Sequence, residues 1–100
     1  MVRERSQNHP VSIDAQVTIP DTVLFHDLGG EAVLLNLTTG TYFGLDPIGT
    51  RMWHLLTERR SLKAICETVL EEYGVDRQQL ARDLLRFVQA LTAQGLLEHA

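Results

Sequence analysis

Gly40-Thr41-Tyr42-Phe43-Gly44-Leu45-Asp46-Pro47-Ile48 is the stretch where the chain changes from one periodicity to another. Thr41 to Leu45 is short, aromatic and preceded by glycine, which reads as a strand. Asp46-Pro47 is an N-cap followed by proline at the first helical position, a strong helix start. Ile48, Met52, Leu55 and Leu56 then recur at i, i+4, i+7 and i+8, one apolar stripe on a helix.

Upstream of that junction the pattern predicts strands. Glu31 to Leu37 carries Ala32, Val33, Leu34 and Leu35 and closes at Thr38-Thr39-Gly40. Thr22 to Leu28 precedes it, with Gly29-Gly30 as the turn. Two short glycine-bearing connections between such runs predict a three-stranded antiparallel meander. Further back, Val11, Ile13, Ala15, Val17 and Ile19 alternate loosely, which predicts a half-buried strand ended by Pro20-Asp21. Residues 1–10 are mostly polar and end in His9-Pro10. They are expected to form a flexible tail ahead of one domain over 11–100.

Downstream the pattern predicts two more helices. Ser61 caps the first, whose stripe is Leu62, Ile65, Cys66, Val69, Leu70 and Tyr73, stopped by Gly74 as a left-handed cap. Asp76 caps the second, with Leu80, Leu84, Phe87 and Leu91 widened by Leu85 and Val88, and Gly95 ends it. Leu96 and Leu97 are expected to fold back on the core. Strands and helices are segregated along the chain, so the class is α+β rather than a parallel α/β sheet. The short Gly74-Val75 turn between helices resembles a helix-turn-helix. The expected architecture is winged-helix-like, a three-stranded antiparallel meander followed by three helices.

Length and composition narrow the function. One hundred residues suit a single domain. A hydrophobic content of 44% with 22% charged residues fits a soluble globular chain. The net charge of −4, spread evenly, argues against a phosphate-binding surface or a polybasic membrane patch. Cys66, the single cysteine, forms no internal disulfide and supplies no Cys-rich metal site. With no membrane-spanning apolar run and no signal-peptide core, the expected compartment is the cytoplasm.

The search for chemistry yields no catalytic constellation. His9, His26, His54 and His99 lack ligand spacing and read as solvated or structural. Cys66 falls on an apolar stripe and reads as a small hydrophobe. Glu71 and Glu72 are adjacent on a helix and do not face each other. The glycine turns lack the pattern of phosphate loops. No enzyme activity, cofactor or metal is expected.

Three binding readings follow. The last helix would present Gln78, Gln79, Arg82, Arg86 and Gln89 outward as a DNA-recognition helix. Together with Arg77 its arginines are few, and Asp76 and Asp83 offset two of them, so a DNA regulator is the weaker alternative. A structural module would pair chains through an open strand edge. A peptide binder would use that same edge. Thr41 to Leu45 is last in the meander and has one sequential neighbour, so it is the best acceptor for an extended chain. Tyr42 and Phe43 read equally well as ordinary core and sheet-face residues, and Asp83 as a solvated helix flank.

The runs Val23-Leu24-Phe25, Ala32-Val33-Leu34-Leu35-Asn36-Leu37, Gly40 to Asp46, Ile48-Gly49-Thr50 and Trp53 with Leu56 resemble the PqqD family. Leu70-Glu71-Glu72-Tyr73, Val75-Asp76, Asp83-Leu84, Phe87, Leu91 and Gly95-Leu96-Leu97 agree in order and spacing. The resemblance covers about residues 12–98. It implies a RiPP recognition element that binds the leader of a ribosomally made precursor peptide and presents it to a modifying enzyme. In the family that enzyme is a radical S-adenosylmethionine enzyme, or a leader protease and cyclase in lasso-peptide clusters. No nucleic acid or membrane partner is implied, and a monomer or a weak or swapped dimer is expected.

The resemblance also implies a site. The leader would add to the third strand of the meander, placing Thr41, Tyr42, Phe43, Gly44 and Leu45 on one wall. Asp83, Leu84, Arg86, Phe87 and Ala90 of the last helix would form the other. Asp83 would meet a leader cation or backbone group, and Leu84 and Phe87 would floor an apolar pocket. The sequence does not set which flank of that helix faces the strand. On this reading Phe43→Pro removes a docking donor, provided its N–H faces the open edge.

Overall fold

The computed structural model describes residues 12–58 and 61–99. Eight elements follow one another: β1 (Val17–Thr18), β2 (Val23–Asp27), β3 (Ala32–Asn36), β4 (Thr41–Gly44), α1 (Pro47–Thr57), α2 (Leu62–Tyr73), α3 (Arg77–Ala93) and β5 (Glu98–His99). β2, β3 and β4 form the expected antiparallel meander, with β3 in the centre. Val23 pairs with Asn36 and Asp27 with Ala32 across the first hairpin. Val33 pairs with Gly44 and Asn36 with Thr41 across the second.

The pleat explains which side holds the core. Ala32, Leu34 and Asn36 are buried on one face of β3, while Val33 and Leu35 on the other are half-buried. Successive strand residues point to opposite faces. The helices cover the first face and leave the second open. Leu34, Trp53, Leu55, Ile65, Val69, Leu84, Val88 and Leu91 fill the space between them, all at zero exposure.

Each helix starts where its cap residue allows. Asp46, Ser61 and Asp76 accept backbone N–H groups from Gly49, Ala64 and Gln79 respectively. Gly74 stops α2 at φ 62°, a left-handed geometry that costs glycine little. Gly95 follows α3 at φ 72° and turns Leu96 and Leu97 back into the core, as expected.

Three expectations need correction. The predicted strand over Val11 to Ile19 is reduced to Val17–Thr18. Val11 and the proposed tail over 1–10 lie outside the described residues. Ser12 forms a turn in which its carbonyl accepts from Ala15 N and its hydroxyl from Asp14 N, so this polar segment satisfies its backbone locally. The surviving strand pairs with β5, giving a separate two-stranded ribbon in which Thr18 meets Glu98. Ile48 and Tyr73, assigned to apolar stripes, are exposed. In α1 the buried residues Gly49, Met52, Trp53 and Leu56 centre the stripe about a quarter-turn away from Ile48. Trp53, outside the predicted stripe, becomes the largest fully buried side chain. The Phe25 ring meets it edge-on at 6.2 Å. No helix among the described residues is long and apolar enough to cross a membrane.

Candidate functional site

The backbone of β4 alternates between inward and outward hydrogen bonding. Leu45 N donates to Ala32 O at 2.8 Å, so that opposed pair is a hydrogen-bonded one. In an antiparallel ladder such pairs alternate with non-bonded pairs. Leu34–Phe43 is therefore bonded, and Leu35–Tyr42 and Val33–Gly44 are not. The other hairpin agrees, because Leu37 N donates to Thr22 O and Leu28 N to Glu31 O. Those bonds place the odd-numbered residues of β3 toward β2 and the even-numbered ones toward β4. The N–H and C=O of Tyr42 and Gly44 thus point away from β3, along the outer edge of the sheet, where no described strand pairs with them. Phe43 N–H points inward, so Phe43→Pro would damage the sheet itself and the edge test moves to Tyr42.

Side chains alternate in step. Phe43 and Leu45 oppose Leu34 and Ala32 and face the helices. Tyr42 opposes Leu35 on the uncovered face and is 72% exposed. Phe43 is half-buried against the core, while Tyr42 is exposed and its backbone N–H and C=O meet no strand among the described residues.

The structure decides which flank of α3 lies beside this strand. A methyl group on Gly49 would sit 3.5 Å from Phe87 Cε1 and 3.6 Å from Leu45 Cβ. Phe87 therefore stands at the end of β4. Two turns further along α3, the Gln94 carbonyl accepts from Asn36 Nδ2 at 2.8 Å, and Asn36 is the partner of Thr41 at the start of β4. The helix runs antiparallel to the strand. Two helical turns span about 11 Å and four strand residues about 13 Å, so the two match in length. Asp83, Phe87, Ala90 and Gln94 lie on one stripe at helical spacing, the one bordering β4.

Not every predicted site residue reaches that border. Leu84 is fully buried on the core side of α3 and cannot floor an open pocket. Its position sits about a sixth of a turn from Phe87, on the face that meets the core. Phe87 is half-buried and Ala90 exposed. Asp83 accepts from Gln79 Nε2 at 2.8 Å and stands 4.0 Å from Arg86. Arg86 projects into solvent.

Asn36, which the sequence places inside the Glu31 to Leu37 run and the family motif without a role of its own, organises this end of the candidate site. It is 4% exposed. Its Oδ1 accepts from Thr38 N and Thr39 N, at 2.9 and 3.3 Å, and so holds the β3–β4 turn. Gly40 N returns to Asn36 O at 2.7 Å, with Gly40 at φ 75°. An Asn followed four residues later by Gly, between two strands, is the sequence signal for this arrangement. The same residue bonds α3, so one side chain ties the edge strand to the groove's other wall.

Groups considered for chemistry have structural roles. Cys66 is buried, and burial pushes its thiol above the ordinary range. Among the described residues no group of three His, Cys, Asp or Glu is placed to hold a metal ion. His54 Nε2 lies 2.9 Å from Asp27 Oδ2 and ties α1 to β2. On the supposed DNA-reading helix, Arg77 pairs with Glu67 and Arg82 donates to Gln79. Those cations are engaged by neighbours rather than gathered into a stripe.

The fold and the groove define an α+β winged-helix-like domain in which the outer edge of β4, unpaired among the described residues, borders a helix flank. The chain belongs to the PqqD family: the family model described as coenzyme PQQ synthesis protein D (PqqD) matches residues 31–97. Among solved structures it is similar to TbiB1 in complex with the TbiA(beta) leader peptide. That likeness has 46% sequence identity and a TM-score of 0.79, over 81% of this chain and 94% of that one. Lasso peptide synthetase B1 complexed with the leader peptide shares the fold, at 21% identity and a TM-score of 0.76 over 84% of this chain and 99% of that one. No curated protein matches the chain.

Proposed function

We propose that this protein is a RiPP recognition element that binds the leader segment of a ribosomally made precursor peptide. The leader adds as a further strand on β4, in the groove against α3, and is presented there to a separate modifying enzyme. The observation that carries this reading is the edge of β4: the N–H and C=O groups of Tyr42 and Gly44 face outward, away from β3, with no strand beyond them among the described residues. Backbone pairing supplies affinity in strand addition, and pockets for alternate side chains supply selectivity. The likeness to TbiB1, which is solved with a leader peptide bound, supports leader-peptide binding by this chain. Family membership supports a partner that does the chemistry, of the radical S-adenosylmethionine or leader protease and cyclase type.

The test is a pair of proline variants titrated calorimetrically with the TbiA(beta) leader peptide. Tyr42→Pro removes one outward donor and no ladder bond. It is expected to keep the wild-type circular dichroism spectrum and to lose roughly tenfold or more in affinity, since a lost strand hydrogen bond and a blocked approach both oppose docking. Phe43→Pro is expected to lower the melting temperature. A folded Tyr42→Pro protein with unchanged leader affinity would rule out strand addition on β4.

A further inference from the structure

The groove does not end at Thr41. Beyond it lies a cavity of about 430 Å3 bounded by Thr22, Asn36, Thr38, Thr39 and Thr41 on the sheet side. Ala93, Gln94 and Gly95 at the carboxyl end of α3 close it on the helix side, and Glu98 of β5 lies at its wall. The cavity shares Thr41 with the edge strand and Gln94 with the helix stripe that carries Phe87 and Ala90. A chain lying along β4 would lead into it.

Its lining is made for a donor of positive charge. No Lys or Arg contributes to it. Glu98 brings a carboxylate that takes part in no ion pair among the described residues, and it arrives only because β5 pairs with β1. The end of a 17-residue helix adds the negative pole of its dipole. The hydroxyls of Thr39 and Thr41 hydrogen-bond each other at 2.7 Å, which uses one hydroxyl proton between them and leaves lone pairs for a further donor. Asn36, whose amide N–H donates to Gln94 O, offers no competing charge.

We propose that this cavity is a subsite for a lysine or arginine side chain of the leader, next to the segment that pairs with β4, and that Glu98 selects the cation. The subsite rests on the strand-addition reading. It makes selectivity depend on charge at one end of the groove and on apolar contact with Phe87 at the other. Asp83, the carboxylate expected to meet a leader cation, lies at the opposite end of the groove and is already bonded to Gln79.

Two scans of the TbiA(beta) leader peptide test it, one placing lysine and one placing glutamine at each position in turn. Affinities are measured on the intact protein by calorimetry at low and at moderate salt. At one or two neighbouring positions lysine is expected to bind roughly fivefold tighter than glutamine, a preference of the size of a good partly exposed ion pair, and to lose most of it in salt. The preference disappears in Glu98→Gln. In Glu98→Lys it passes to a glutamate placed at the same position, a reversal that a merely unfolded variant would not show. The position that responds also gives the direction in which the leader runs. Equal affinity of the lysine and glutamine peptides at every position, or the same lysine preference in Glu98→Gln, overturns the subsite while strand addition stands. Binding of none of the peptides, parent included, overturns strand addition and the subsite with it.

Discussion

Asn36 concentrates three jobs in one buried amide. It accepts two turn N–H groups through Oδ1 and donates to the end of α3 through Nδ2. Removing such a side chain leaves its former partners short of hydrogen bonds in a partly dry setting. Asn36→Ala is expected to cost about 2–3 kcal/mol, read from the urea midpoint of unfolding. Leader affinity should fall as well, because the β3–β4 turn and α3 would no longer be held together. Gly95 reinforces the point: a methyl there would lie 2.9 Å from Asn36 Nδ2, at a φ of 72° that side chains rarely adopt. None of this was visible in the local sequence beyond the Asn-to-Gly spacing. The contact from Asn36 to Gln94 joins residues far apart in the chain, and no periodicity encodes it.

At the scale of elements, local chemistry was most informative where it is self-contained. Asp46, Ser61 and Asp76 were legible as caps because an N-cap satisfies the first free N–H groups of its own helix and needs nothing else. Asp46 Oδ1 accepts from Gly49 N at 2.7 Å at the junction where β4 becomes α1. Asp46→Ala is expected to lower stability by about 1 kcal/mol, and Asp46→Asn to restore most of it, in equilibrium unfolding. The long reading of the first strand failed for a complementary reason. An alternating pattern says which face is apolar, but a strand also needs a neighbour to pair with. Only Val17 and Thr18 have one, supplied by Glu98 and His99. The outward side of β4 likewise followed from its ladder with β3, and not from Tyr42 or Phe43 themselves.

Across the whole molecule, ion pairs between elements give stability a dependence on pH. The Gly30 N–H and the His54 ring together hold the Asp27 carboxyl below its ordinary range. Arg77 holds Glu67 down in the same way and joins α2 to α3. A carboxylate whose folded-state pKa is depressed stabilises the fold above its unfolded pKa and loses that contribution as pH falls through the folded value. Stability is therefore expected to lose these contributions in acid, as pH falls below about 4. Asp27→Asn should be less stable than the wild type at pH 7 and show a shallower decline between pH 5 and pH 2 by roughly the usual carboxylate titration range, measured by urea unfolding at each pH. A parallel decline in both proteins would mean that the Asp27 link carries no pH dependence.

The amino-acid sequence alone was enough to read the meander followed by three helices, the class, the helix caps and most of the core, because each rests on residues within a few positions of one another, whereas the final strand β5 was not legible. It also carried the family pattern, through motifs whose order survives without any fold. The geometry of the candidate site came from tertiary structure. It set the outward parity of β4, chose the flank of α3 that borders it, withdrew Leu84 into the core and brought Glu98 to the end of the groove. Each of these depends on pairing or packing between segments distant in the chain, and such contacts leave no local signature in composition or spacing.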